Sequence, residues 1–176
     1  MSRILLLSLL LAPIVASASV VAMPRARLAA EADAIVIGTV TDAGYEETGR
    51  GGPSVVTHHA LYVERVIAGD VETGDLLDVR TAGGRMRVGN RTLMELVPEA
   101  PALVEGDHVV LFLYALTDPR DLHLTDAERE ELPDAWAVMG WRQGALHIDD
   151  LSGTIAETGE PTRAVVSSLQ SLNYQE

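Results

Sequence analysis

Runs of β-branched and apolar residues alternate with polar turns along the chain, and this alternation predicts an all-β domain. Residues 34–41 (AIVIGTVT) read as a strand, and Gly38 inside it predicts a bulge or sharp bend of the kind a curled sheet requires. Residues 44–54 are polar and rich in glycine, and read as a long exposed loop. Residues 55–67 (VVTHHALYVERVI) form a long predicted strand. His59, Leu61, Val63 and Ile67 share one parity, with Arg65 the exception, while Ala60, Tyr62 and Val66 share the other. Both faces are therefore partly apolar, as in a strand at the corner of a barrel or sandwich.

Turn signals divide the rest. Gly69-Asp70 ends the long strand and Gly74-Asp75 precedes the next, residues 76–81 (LLDVRT). Ala82-Gly83-Gly84 reads as a turn, and residues 85–97 as a hairpin pivoting at Gly89-Asn90. Pro98 and Pro101 interrupt the chain, and Gly106-Asp107 turns it into residues 108–116 (HVVLFLYAL), the most apolar strand after the N-terminal region and the expected centre of the sheet. Residues 118–134 differ in character. Thr125 suits a helix N-cap, acidic residues crowd the following turn, and Pro133 stops it, so a helical insertion over residues 125–132 is predicted. Residues 135–141 (AWAVMGW) and 145–148 (ALHI) read as two further strands turning at Gln143-Gly144. The chain beyond residue 150 is a polar tail with a short terminal helix over residues 162–172. Short strands with frequent Gly-Asp turns indicate a small, strongly curved β-barrel of five or six main strands. A sandwich is the rival, but the strands are few for an immunoglobulin-like one and its Cys-Trp-Cys core is missing.

The N-terminus has a different pattern. Met-Ser-Arg is a short positive region, residues 4–15 are apolar apart from Ser8 and Pro13, and Ala16-Ser17-Ala18 has the small-residue spacing of a signal-peptidase site. Cleavage after Ala22 is the second option, because Val20 and Ala22 also suit the peptidase. The apolar run is about a dozen residues against the roughly twenty that a spanning helix needs, so a cleaved signal peptide over residues 1–18 is expected rather than a retained anchor. The chain has no cysteine, which excludes both a disulfide framework and lipidation at the cleavage site. The expectation is a periplasmic or extracellular barrel over residues 28–150 without a membrane anchor.

Composition narrows the partners. The formal charge is −13 and every basic residue is arginine. An acidic surface disfavours nucleic acid and anionic lipid. Few aromatics argue against a carbohydrate or base-stacking platform.

No recognisable catalytic constellation is present. There is no G-x-S-x-G nucleophile elbow. Gly49-Arg50-Gly51-Gly52 lacks the spacing of a dinucleotide or phosphate loop, and no lysine is available for a phosphate. Adjacent His58 and His59 point to opposite faces of a strand, and His108, His123 and His147 are scattered, so no metal-ligand spacing appears. Residues 118–134 lack the alternating ligands and central glycine of a calcium loop. The 26 acidic residues single out no catalytic pair. Trp136 and Trp141 lie on opposite faces of their predicted strand, one for the core and one nearer the surface.

Several motifs carry a resemblance. The segments AD-x-IV-x-G-x-V (32–40), V-E-R-V-I-x-G-D (63–70), L-x-V-R-T-x-G-G (77–84), P-x-A-P-A-L-V-E-G-D-x-V-V-L-F-L (98–113) and V-M-G-W-R-Q-G-A-L-H-I (138–148) resemble a group of uncharacterised exported bacterial proteins. The resemblance spans residues 28–150 and implies an OB-type barrel, similar to netrin-like modules and the tissue inhibitors of metalloproteinases. Those inhibitors act through an N-terminal cysteine held by disulfides, which this chain lacks, so the resemblance does not carry their chemistry over. No cofactor or metal is called for. The leading expectation is a non-enzymatic exported binding module for a protein or small molecule. Its candidate surface combines the 44–54 loop, Gly83 and Gly84, and the turn Trp141, Arg142, Gln143. The alternatives are a metal-dependent hydrolase that gathers histidines such as His58 and His147, and an inhibitor inserting a loop into an extracytoplasmic protease.

Overall fold

In the computed structural model, residues 22–47, 55–116 and 135–173 are described; the predicted signal peptide and the helical insertion over 125–132 lie outside them. Among these residues the element order is α1 (Arg25–Glu31), β1 (Ala34–Glu47), β2 (Val55–Gly69), β3 (Leu76–Ala82), β4 (Gly84–Val88), β5 (Arg91–Glu95), β6 (His108–Ala115), β7 (Ala135–Val138), a 3-10 turn (Trp141–Gly144), β8 (Ala145–Asp149), β9 (Thr154–Ile155) and α2 (Thr162–Asn173).

Five strands close on themselves in the order β1-β2-β3-β7-β6, with β6 pairing back to β1. The pairings are antiparallel except β3 with β7, which is parallel. The fold is thus a small all-β barrel. A circuit from Gly44 through His58, Arg80, Ala137 and Tyr114 returns to β1 at its start, beside the Ala34–Leu113 pair, rather than at Gly44. That stagger is what tilted strands need in order to close. β8 and β9 extend the sheet outward from β6, and β4–β5 form a separate two-stranded hairpin.

Closure requires β1 to bend. Its register against β2 shifts between Ile35 and Val36, between Ile37 and Gly38, and between Val40 and Asp42. The bulge expected at Gly38 is present, and its cause is close approach: any Cβ there would run into the backbone carbonyl of Tyr62.

Two apolar clusters sit on either side of the barrel wall. Val36, Val40, Leu61, Val63, Val79, Val109, Leu111 and Leu113 point inward and fill the barrel. Ile35, Ile37, Val110 and Phe112 point outward and are covered by α1 and α2 through Leu28, Ala29, Val165, Val166 and Leu169. This is why 34–37 and 109–113 are uninterrupted apolar runs: both faces of those strand segments are buried. α1 is short, carries an Arg27–Glu31 pair one turn apart at 2.7 Å, and gives up its helical conformation at Ala32.

Three sequence readings change. Residues 44–47 belong to β1 rather than to a loop, because β2 is long enough to pair with them through Val55. The predicted strand 135–141 stops at Val138, because Gly140 (φ 68°) and Trp141 (φ 59°) take left-handed backbone that no strand accommodates. The terminal helix expected over 162–172 is present as α2, but the segment after residue 150 packs on the barrel rather than trailing as a tail: the 165, 166, 169 spacing presents one apolar stripe, which joins the second cluster.

Leu169→Ala is therefore expected to destabilise the protein by about 2–5 kcal/mol, as for a fully buried leucine. Leu151→Ser, at a fully exposed position, is expected to stay within about 0.5 kcal/mol. Urea unfolding followed by circular dichroism checks both.

Candidate functional site

The outer face formed by the second half of β1, the first half of β2 and β3 lies away from the helix-covered cluster, and it holds an open groove of about 280 Å³ lined by Asp42, Gly44, His58, Ala60, Leu76, Leu77 and Asp78. Cross-strand register explains it. Asp42, Ala60 and Asp78 form one row, Gly44, His58 and Arg80 the next, and Thr39, Tyr62 and Leu76 a third. Gly44 and Ala60, nearly without side chains, leave the depression. Its rim carries Tyr62 and Leu76, both large and exposed.

The polar wall is a linked set. His58 Nδ1 lies 3.2 and 3.3 Å from the two carboxylate oxygens of Asp78, and Arg80 Nε donates to Asp78 Oδ2 at 3.0 Å. On the opposite wall Asp42 Oδ1 accepts the backbone N–H of Ala43 at 2.8 Å. Thr41, set in the bulge, donates its hydroxyl to the Ala60 carbonyl at 3.1 Å. An imidazole against a carboxylate is half of a nucleophile-activating set, but none of the lining residues is a serine, threonine or cysteine. The groove can accept hydrogen bonds and hold an apolar body, which is the chemistry of recognition.

The histidines separate. His59, adjacent to His58, points into the barrel and is buried, with Nε2 3.0 Å from Thr81 Oγ1 and Nδ1 without a hydrogen-bond partner. Burial, with a smaller contribution from His58, lowers its pKa from 6.5 to about 4, so it is neutral near pH 7. His147 on β8 lies 2.7 Å from Glu157 Oε1 through Nδ1, with Nε2 at 3.4 Å from Asp107 Oδ2 and 3.2 Å from the Ala102 carbonyl. Partial burial opposes its charge, but the Glu157 carboxylate and then Asp107 outweigh it and raise its pKa. His108 bridges Asp150 Oδ1 at 2.5 Å and Glu64 Oε2 at 3.2 Å. His58 and His147 thus have different partners, and no group of three or more metal-ligating side chains forms among the described residues.

The residues singled out from the sequence fall into two places. Gly83 and Gly84 (φ 85° and 143°) close one end of the barrel: Gly83 N–H donates to the Val55 carbonyl at 2.8 Å, its own carbonyl accepts the Thr57 hydroxyl at 2.7 Å, and a side chain on Gly84 would collide with Thr57 and Tyr45. These contacts join β2, β3 and β4 and require glycine at Gly84. Trp141, Arg142 and Gln143 form the 3-10 turn between β7 and β8. Arg142 pairs with Glu99 at 2.5 Å, Gln143 Oε1 accepts the Met23 N–H at 2.7 Å, and Trp141 is half-exposed. Trp136, by contrast, packs against the barrel interior. Of the proposed surface only Gly44 lines the groove; 48–54 lie outside the described residues. The groove was missed because its members belong to three strands and share no sequence motif. A parity reading of 58, 60 and 62 against 76 and 78 was the available signal.

Comparison with protein-family profiles, with curated protein sequences and with solved structures returns no match.

The two displaced histidines act on stability in opposite directions. The folded pKa of His59 lies below its unfolded value of about 6.5, so its contribution is present above pH 6.5 and lost as pH falls toward 4 and below, by up to about 3 kcal/mol. The folded pKa of His147 lies above its unfolded value, so its contribution is full below pH 6.5 and lost as pH rises through the folded value. In urea titrations from pH 4 to 8.5, His59→Val should flatten the acid limb and His147→Asn the alkaline one.

Proposed function

We propose that this protein is an exported, non-enzymatic binding module that takes its ligand on the outer face of β1–β3. The observation that carries this reading is the open groove between Asp42 and Asp78, floored by Ala60 and rimmed by exposed Leu76 and Tyr62. The barrel's strand order, with the third strand parallel to the last of the five, supports an OB-type assignment, in agreement with the sequence resemblance. OB-type barrels bind on the face of their second and third strands, which is where this groove lies. The N-terminal pattern supports the export part of this reading, with a ligand met in the periplasm or outside the cell.

Size and chemistry narrow the ligand. Pockets for drug-sized molecules run from roughly 300 to 1,000 Å³, so this groove suits one side chain or a fragment of similar bulk. Two carboxylates and an apolar rim favour a group that donates hydrogen bonds from a short apolar stem, such as an amine or guanidine.

Titration of the full chain with agmatine, followed by amide NMR shifts, tests this. Shifts should cluster on Asp42, His58, Ala60 and Asp78. Ala60→Leu, which fills the floor, should weaken binding by at least about tenfold. Shifts centred on Trp141–Gly144, or affinity unchanged by Ala60→Leu, would overturn the reading.

A further inference from the structure

The β4–β5 hairpin is basic in a chain that is acidic as a whole. Residues 84–94 (GRMRVGNRTLM) carry three arginines and no acidic side chain, in a chain whose net charge is −13. The hairpin is its own two-stranded sheet. Isolated hairpins are only marginally stable, so this one depends on its anchorage. At its base Val55 N–H donates to Glu95 Oε2 at 2.8 Å, and Gly83 N–H to the Val55 carbonyl at 2.8 Å. One face, with Met86 opposite Leu93, is half-buried. The other face pairs Arg85 with Met94 and Arg87 with Thr92, and all four are exposed. Arg91 and exposed Val88 sit at the tip. Arg85, Arg87 and Arg91 have no acidic partner among the described residues, and Arg87 Nε reaches only the Gly89 carbonyl at 3.4 Å.

We propose that the hairpin is a docking edge for an extended, acidic peptide segment of another protein. Among the described residues β4 pairs only with β5, so its other edge offers unpaired backbone groups to an added strand. Arg85 and Arg87 are two residues apart and share a face, about 7 Å from one another along the strand. An added strand places every second side chain on that same face, so carboxylates at alternate positions meet both guanidinium groups. Arginine suits this task because its planar fork takes a carboxylate bidentately and sheds water more readily than an ammonium. A second copy pairing edge to edge in antiparallel register would bring arginine against arginine, which disfavours self-association. A membrane or nucleic acid extends well past the hairpin, where the remaining acidic surface repels it. A single short strand does not. The proposal does not depend on the β1–β3 groove.

The test uses the full chain and a fluorescent peptide, Thr-Glu-Val-Glu-Val-Glu-Thr, in anisotropy titrations at low and physiological salt. Saturable binding is expected, weakened at least about tenfold by Arg85→Gln/Arg87→Gln. The same peptide N-methylated at alternate residues should also lose binding, because it cannot form the ladder. Thermal melts of the double variant should match the parent, since both side chains are exposed. Equal binding of a peptide with its three glutamates contiguous, or binding unchanged by the double substitution, would overturn the proposal. So would capture of the protein on phosphatidylglycerol vesicles without peptide binding.

Discussion

Over residues 109–113 β6 has no solvent face, and the architecture follows from that. Val109, Leu111 and Leu113 point into the barrel while Val110 and Phe112 point away from it, and all five are fully buried. A strand of this composition is stable only if something covers both sides. Closing the sheet covers one, with β1 and β7 as lateral partners. The other needs a separate layer, which α1 and α2 supply. Five such side chains, at about 1.5–3 kcal/mol each for full burial, outweigh any local preference of the flanking segments. A 3.6-residue apolar stripe late in a polar stretch is therefore drawn back over the start of the fold.

The same constraint positions the candidate site. The helix-covered cluster takes in the first half of β1, the end of β2, β6 and β8, because those segments have apolar outer faces. The outer faces of β2 and β3 are polar or small at 58, 60, 78 and 80, so no layer is attracted there. The groove is the part of the barrel wall that the core leaves uncovered. Its depth comes from Gly44 and Ala60 falling diagonally in adjacent rows, and that in turn depends on the register shift between Val40 and Asp42. Sliding β1 by one residue would place Ala43 rather than Gly44 beside His58.

Much of the fold was legible in the sequence because burial writes itself as period and composition. HVVLFLYAL could only be central, Gly38 marked a crossing, and Gly89-Asn90 marked a hairpin. Residues 135–141 misled because AWAVMGW has strand composition to its end, while the left-handed backbone at Gly140 and Trp141 is set by tertiary packing: Leu28 and Met23 lie against Gly140. The terminal helix over 162–172 was legible, but its packing was not, because only one stripe of it is apolar and the polar remainder averages to a tail. The site was least legible. Its rows depend on three bulges whose number and position no local pattern declares. Gly83, Gly84, Trp141, Arg142 and Gln143 stood out as unusual residues at turns, and they lie at the β3–β4 and β7–β8 connections, outside the lining of the groove.

His58 and His59 show how far parity alone can separate two identical side chains. One residue of strand moves the imidazole from a groove lined by Asp42 and Asp78 to an interior lined by Val79 and Thr81. In the first setting the ring sits against a carboxylate already shared with Arg80, on the wall of the open groove. In the second, removal from water dominates and the ring is held neutral. A polar group inside a barrel is tolerated when a neighbour answers at least one of its nitrogens, and Thr81 does so. The pair therefore ties the site to the stability of its scaffold. Acid that charges His59 acts on the strand that presents His58, so the groove should lose its shape over the same pH range in which the barrel loses its stability.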